Sequence, residues 1–134
     1  MEEDLQKLGD IGLIVIKEEG LPIPTSIKFA DTFLGTRKRT GCCIRNKTDD
    51  TFKIRVNIRT ARFTECATGK YTCRKTGNSM TRVMGKRLDF GEIKHTLAHE
   101  IAHLKFWNHD AQHISYTNHI LNKINKFIRE HNDM

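Results

Sequence analysis

The sequence predicts an α+β fold, on three observations. Apolar residues recur at helical spacing at both ends of the chain. They alternate with a period of two through the residues 52–58. Gly, Pro, Asn and Asp mark the joins between these stretches. A length of 134 residues suits a single domain over 1–134 with a real hydrophobic core.

The first element is a helix over 2–19, with Leu5, Leu8, Ile11 and Val15 on one side; Gly9 and Gly12 count against it. Gly20 closes it, and Pro22 and Pro24 mark a turn. Ile27 to Phe33 reads as a first strand and Gly41 to Asn46 as a second. Thr48-Asp49-Asp50 reads as a turn, and Phe52, Ile54, Val56 and Ile58 alternate through a third strand. The second and third strands make a hairpin, with Lys53, Arg55 and Arg59 on the polar face of the third, which is expected nearest the next helix or at an edge beside it. Residues 60–88 are rich in Gly and Thr without clear periodicity and read as a long loop.

Asp89 followed by Glu92 resembles a capping box and starts the next helix. Ile93, Leu97, Ile101 and Leu104 give it a core-facing stripe, no Gly or Pro interrupts it from Glu92 to Trp107, and Asn108 is its expected end. Asp110 caps a last helix whose apolar face holds Ile114, Thr117, Leu121, Ile124 and Ile128, with Ile120 and Phe127.

The most specific feature is His99-Glu100-Ile101-Ala102-His103 on the second of these helices. Residues four apart share a helix face, so two imidazoles there can hold one zinc ion, and the intervening Glu can take a proton from water beside it. A catalytic zinc takes three protein ligands and keeps one position open. His109 is preferred as the third ligand, because a tight turn at Trp107-Asn108 folds it back; His113, one turn into the last helix, is the alternative. His119 reads as a surface or packing residue, His95 as a partly exposed helix residue, and Glu130 as a remote acidic option.

With HEIAHLKFWNHD, the segment resembles the zincin metalloproteases of the SprT-like, WLM and YgjP-like groups, over roughly residues 89–127. The resemblance implies zinc ligands at His99, His103 and His109 and a general base at Glu100. It implies a minimal zincin-like domain: a small, mainly antiparallel three-stranded sheet packed on the motif helix, with N- and C-terminal helices. The edge strand of such a sheet pairs with an extended substrate. The chain is thus expected to be a zinc metallopeptidase acting on protein or peptide substrates, with one zinc per chain, as a monomer. The spacing from His99 to His109 equals that of metzincins, but Phe106 stands where those enzymes need Gly and no Met-turn follows, so that branch is rejected. Trp107 stands where WLM members usually have Gly, and His113 where these families usually have Phe. Tyr116 is the candidate to stabilise the oxyanion.

The net charge of +7 is unevenly spread. From Lys28 to Lys94 seventeen Lys or Arg face six Asp or Glu, whereas the rest of the chain carries six bases against ten acids. Such a basic middle suits a phosphate backbone, with Arg37, Lys38, Arg39, Arg74 and Lys75 as the expected DNA contacts. SprT-like and WLM proteases are linked to cleaving proteins on DNA, so the resemblance points the same way. Aromatic residues for base stacking are sparse, with Phe33, Phe63 and Tyr71 nearest. Cys42, Cys43, Cys66 and Cys73 are expected as reduced thiols, a disulfide or second metal between Cys66 and Cys73 being the alternative. The acidic, polar start is not a secretory signal and no run is long and apolar enough for a membrane span, so a cytoplasmic protein is expected, or a nuclear one in a eukaryote. The competing class is a zinc-stabilised, basic binding module without turnover, its metal closed by His113 as a fourth ligand.

Overall fold

A computed structural model of the chain describes residues 2–30, 41–65, 71–73 and 75–131. Three helices and a three-stranded mixed sheet form one α+β layer pair around a single core. The elements are α1 (Glu2–Glu18), β1 (Ser26–Ala30), β2 (Gly41–Asn46), β3 (Thr51–Asn57), β4 (Arg59–Glu65), β5 (Tyr71–Thr72), β6 (Ser79–Arg87), α2 (Phe90–Ala102) and α3 (Ala111–His131).

The first sheet has the order β1-β3-β2, with β2 antiparallel and β1 parallel to β3. The expected mainly antiparallel sheet is therefore corrected to a mixed one. A short turn forces only the hairpin partners β2 and β3 to run antiparallel. The strand before them crosses to the far side of β3 and runs with it. The hairpin turn is closed by side chains: the Asn46 carboxamide oxygen accepts from Thr48 N at 3.0 Å, and Asp49 Oδ1 accepts from Thr51 Oγ1 at 2.7 Å. Asp50 takes the left-handed conformation at φ 57°. As expected, β3 packs against α2; being central it is not an edge, and among the described residues β2 is the edge strand beside that helix. The first strand covers 26–30, and the expected continuation over 31–33 lies outside the described residues.

Residues 60–88, expected as a loop, instead carry a second, antiparallel sheet of order β4-β6-β5, with a register shift between Arg59 and Ala61. The sequence does alternate briefly, with Ala61 and Phe63 between Thr60, Arg62 and Thr64, but two apolar residues are too few to stand out in a long Gly- and Thr-rich stretch. The chain leaves the first sheet at Ile58 and comes back beside it, where Leu88 N donates to Ile58 O at 2.8 Å. That return delivers the chain to the start of α2.

The core joins Leu8, Val15 and Ile16 of α1, Ile54 and Val56 of β3, Ile93, Leu97 and Ile101 of α2, and Ile120 and Ile124 of α3. α1 ends at Gly20 (φ 67°), where Leu21 N reaches Ile16 O and Gly20 N reaches Lys17 O, each at 3.1 Å. That is a Schellman closure, which needs a left-handed residue. On α3 the buried face runs through His113, Thr117, Ile120 and Ile124, whereas Ile114, expected on the apolar face, is exposed. His113 takes the inward position in its place.

Within that closure, Glu19 ties the end of α1 to α3. Its carboxylate accepts from Tyr116 Oη at 3.0 Å, pairs with His119 Nε2 at 2.7 Å and accepts from Lys123 Nζ at 3.0 Å. Burial alone raises the Glu19 carboxyl, but the bonds from Lys123, Tyr116 and His119 outweigh it, and the net shift is downward. A carboxyl depressed on folding stabilises the fold above its unfolded pKa, and that contribution is lost as pH falls through the folded value. Glu19→Gln is therefore expected to cost on the order of 1–3 kcal/mol at pH 7. The gap to wild type should close as pH falls below the usual carboxylate range, as read by urea unfolding at several pH values.

Candidate metal centre

α2 sets two imidazoles on one face, one turn apart. Asp89 caps its start, with Oδ1 accepting from Glu92 N at 2.8 Å, as the capping signature predicts. The helix ends at Ala102 with His103 as its C-cap, and so does not run on to Trp107. The last turn tightens: His103, Leu104 and Lys105 donate to carbonyls three residues back. The chain then reverses through residues 106–109, and Asp110 starts α3 by accepting from His113 N at 3.0 Å.

This reversal brings three side chains together. His109 Nε2 lies 3.2 Å from His99 Nε2 and 3.0 Å from His103 Nε2. One ligand atom from each of the three residues lies within 4.8 Å of the others, close enough to share a metal ion. Tetrahedral zinc–imidazole bonds of about 2.0–2.1 Å put neighbouring nitrogens about 3.3–3.4 Å apart, near the two short edges seen here. Hydrogen bonding is a poor account of the cluster, because a single proton on His109 Nε2 cannot serve both neighbours at once.

The tautomers also suit a metal. His103 Nδ1 lies 3.2 Å from the Phe106 carbonyl, which can only accept, so Nδ1 carries the proton and Nε2 offers its lone pair. Burial, then the charges of His113, His103, His109 and His95, lower His99 to about 4. Burial and His113 lower His103 too, partly offset by its bond to Phe106. Neutral imidazole is the metal-binding form, and both shifts favour it at His99 and His103.

His113 supports the pair. It is 1% exposed, and its ring stacks on His103 at 4.1 Å and stands edge-on to His99 at 4.5 Å. Its Nε2 donates to the His99 carbonyl at 3.0 Å, so that nitrogen points at backbone. The described cluster of possible ligands joins His99, His103 and His109 without it.

Glu100 is 4% exposed, with Oε1 3.7 Å from His99 Nε2. Two neighbours on β2 shape its surroundings. Cys43 is held as a neutral thiol, pushed up to about 12 by burial, then by the charges of Glu100 and Cys42. Gly41 packs directly against the helix: a methyl group there would lie 2.8 Å from Thr96 Cγ2, 2.9 Å from the Arg55 carbonyl oxygen and 3.3 Å from Glu100 Cγ. Only glycine lets the edge strand approach so closely. Gly41→Ala is expected to destabilise the fold by about 1–3 kcal/mol, as measured by thermal or urea unfolding. Nothing in the sequence signals this role beyond a glycine at a strand start, and nothing signals the support supplied by His113.

The remaining candidates lie elsewhere. Tyr116 Oη is bonded to Glu19, and burial followed by Glu19 raises its phenol pKa. Lys75 is exposed, while Arg37, Lys38, Arg39 and Arg74 lie outside the described residues. Cys42, Cys43 and Cys73 are thiols rather than disulfides, and Cys66 lies outside the described residues. Among the described residues, no helix is long and apolar enough to cross a membrane. Comparison of the chain with family models, curated proteins and solved structures gives no match.

Proposed function

We propose that the chain is a zinc-dependent peptidase of the zincin kind. The observation that carries this reading is the convergence of three imidazole nitrogens beside the buried carboxylate of Glu100. His99, His103 and His109 would hold the ion. Three neutral nitrogen donors favour zinc among the divalent metals of similar geometry. Bound there, zinc polarises a carbonyl oxygen and makes water more acidic.

The chain's own groups supply the rest. Glu100 accepts the proton of the attacking water and returns it to the leaving amine nitrogen as the peptide C–N bond breaks. The Phe106 carbonyl fixes the His103 ring, and His113 braces His99 and His103 from below. The edge strand β2 passes Glu100 at Gly41, and its outer side is where an extended substrate backbone would pair.

The four-imidazole binding module is the weaker reading, because the Nε2 of His113 is committed to the His99 carbonyl. For nucleic acid, the sheet offers a basic face. Lys28 pairs in register with Arg55, and Lys53 lies on the same face, opposite the buried Ile54 and Val56. We infer that this face brings the enzyme to proteins on DNA through phosphate contacts.

The test is incubation of the zinc-loaded chain with an unfolded basic protein, with and without single-stranded DNA. Cleavage is expected, with stimulation by DNA. A chelator should stop it and added zinc should restore it. A chain that binds one zinc and cleaves nothing would refute the peptidase reading; cleavage indifferent to DNA would refute the nucleic-acid one.

A further inference from the structure

We propose that Arg45, Phe52 and Trp107 form a subsite for an aromatic side chain of the substrate, next to the metal centre. The inference rests on the peptidase reading and adds the substrate feature selected.

Trp107 is the chain's single tryptophan and is 49% exposed. It is not an isolated surface ring. Its centroid lies 5.9 Å from that of His103 and 6.4 Å from that of Phe52, tilted at 59° and 55°. The indole thus meets both a metal-site imidazole and a ring of the sheet. Phe52 pairs in register with Arg45 of β2, whose guanidinium carbon lies 5.9 Å from the Phe52 centroid. A continuous row of flat groups therefore runs from the edge strand to His103.

The row lies where an edge-paired peptide would carry a side chain. Gly41, on the same strand, packs against Glu100. Arg45 is four residues further, roughly 13 Å along the strand. A peptide on this edge with its scissile bond at Glu100 places a side chain about four residues from that bond beside Arg45 and Trp107, with the buried Phe52 beneath them.

The chemistry of the row favours an aromatic occupant over an acidic one. Asp50 Oδ1 accepts from Arg45 Nε at 3.0 Å and from Nη2 at 2.8 Å, so the positive charge is already compensated. The guanidinium contributes a planar face, and the indole and phenyl rings contribute tilted π surfaces. An aromatic ring set among them would cover the exposed half of Trp107.

The experiment uses the zinc-loaded Glu100→Gln protein, to hold peptide without turnover. The probes are tryptophan-free nonapeptides with one Phe, or Ala in its place, walked through the sequence. Binding is read by anisotropy of labelled peptides, and occupancy by Trp107 emission with unlabelled ones. At the best position, Phe should bind about tenfold tighter than Ala and shift the emission to the blue. Adding Trp107→Ala should bring that ratio close to one, and Trp107→Phe should restore most of it. The absence of any Phe preference, or a preference that survives Trp107→Ala, would overturn the subsite. Cleavage is scored separately with the unsubstituted protein. A Trp107-dependent preference without cleavage supports the subsite and sinks the peptidase; cleavage without that preference sinks the subsite alone.

Discussion

Glu100→Gln is expected to keep zinc and lose turnover by about 10²–10⁴-fold, the usual worth of a positioned general base. The amide has the shape of the carboxylate, so the contacts that Glu100 makes with Gly41 and the helix survive. What disappears is the negative charge that makes the side chain basic enough to take the proton of water. The three imidazoles are untouched, so zinc stoichiometry should match wild type by elemental analysis. A second readout is independent of activity. The negative charge of Glu100 helps to raise the Cys43 thiol, so its pKa should fall from about 12 in the variant, as followed by thiolate absorbance. Burial, the larger cause, remains, so the fall should be partial. If Glu100→Gln cleaves as fast as wild type, Glu100 is not the base.

His109→Ala is expected to weaken zinc binding at least about 100-fold while leaving the fold intact. Zinc affinities of about 10–16 kcal/mol spread over four ligands give about 3 kcal/mol for each. His109 is exposed on the reversal between α2 and α3 and belongs to no part of the core, so its removal costs little packing. The measurement is competition against a calibrated zinc chelator, with circular dichroism as the control for folding. His113 gives the contrast. It acts through hydrogen bonding and stacking, so His113→Phe should weaken zinc by about 10–100-fold and lower stability as well. Equal zinc affinity in His109→Ala and wild type would remove His109 from the ligand set.

Much of the centre was legible because its signals are local. Two His four apart on a helix with Glu between them are read from spacing alone, and a capping Asp89 fixes where that helix begins. The hairpin was legible for the same reason: Phe52, Ile54 and Val56 alternate around a turn of Asp and Thr. The failures are non-local. Nothing in Ser26–Ala30 says that it will pair parallel with β3, across a connection outside the described residues. Nothing in Lys105-Phe106-Trp107 ends a helix by propensity. What accompanies the end is a local contact of His103 Nδ1 with the Phe106 carbonyl and a tertiary one of the Phe106 ring with Tyr116 at 5.6 Å. The second sheet was hidden because its alternation, Ala61 and Phe63 among Thr60, Arg62 and Thr64, is short and holds only two apolar residues. The inward turn of His113 was hidden because imidazole is polar by composition yet buries readily once its nitrogen finds a carbonyl.

The most direct test of the metal centre is X-ray absorption at the zinc edge on the wild-type chain loaded with one equivalent of zinc. Three imidazoles and one oxygen ligand from water are expected, which is the open arrangement that hydrolysis requires. Four imidazoles would place His113 in the ligand set, close the centre and contradict the peptidase; no stoichiometric zinc would contradict the centre itself.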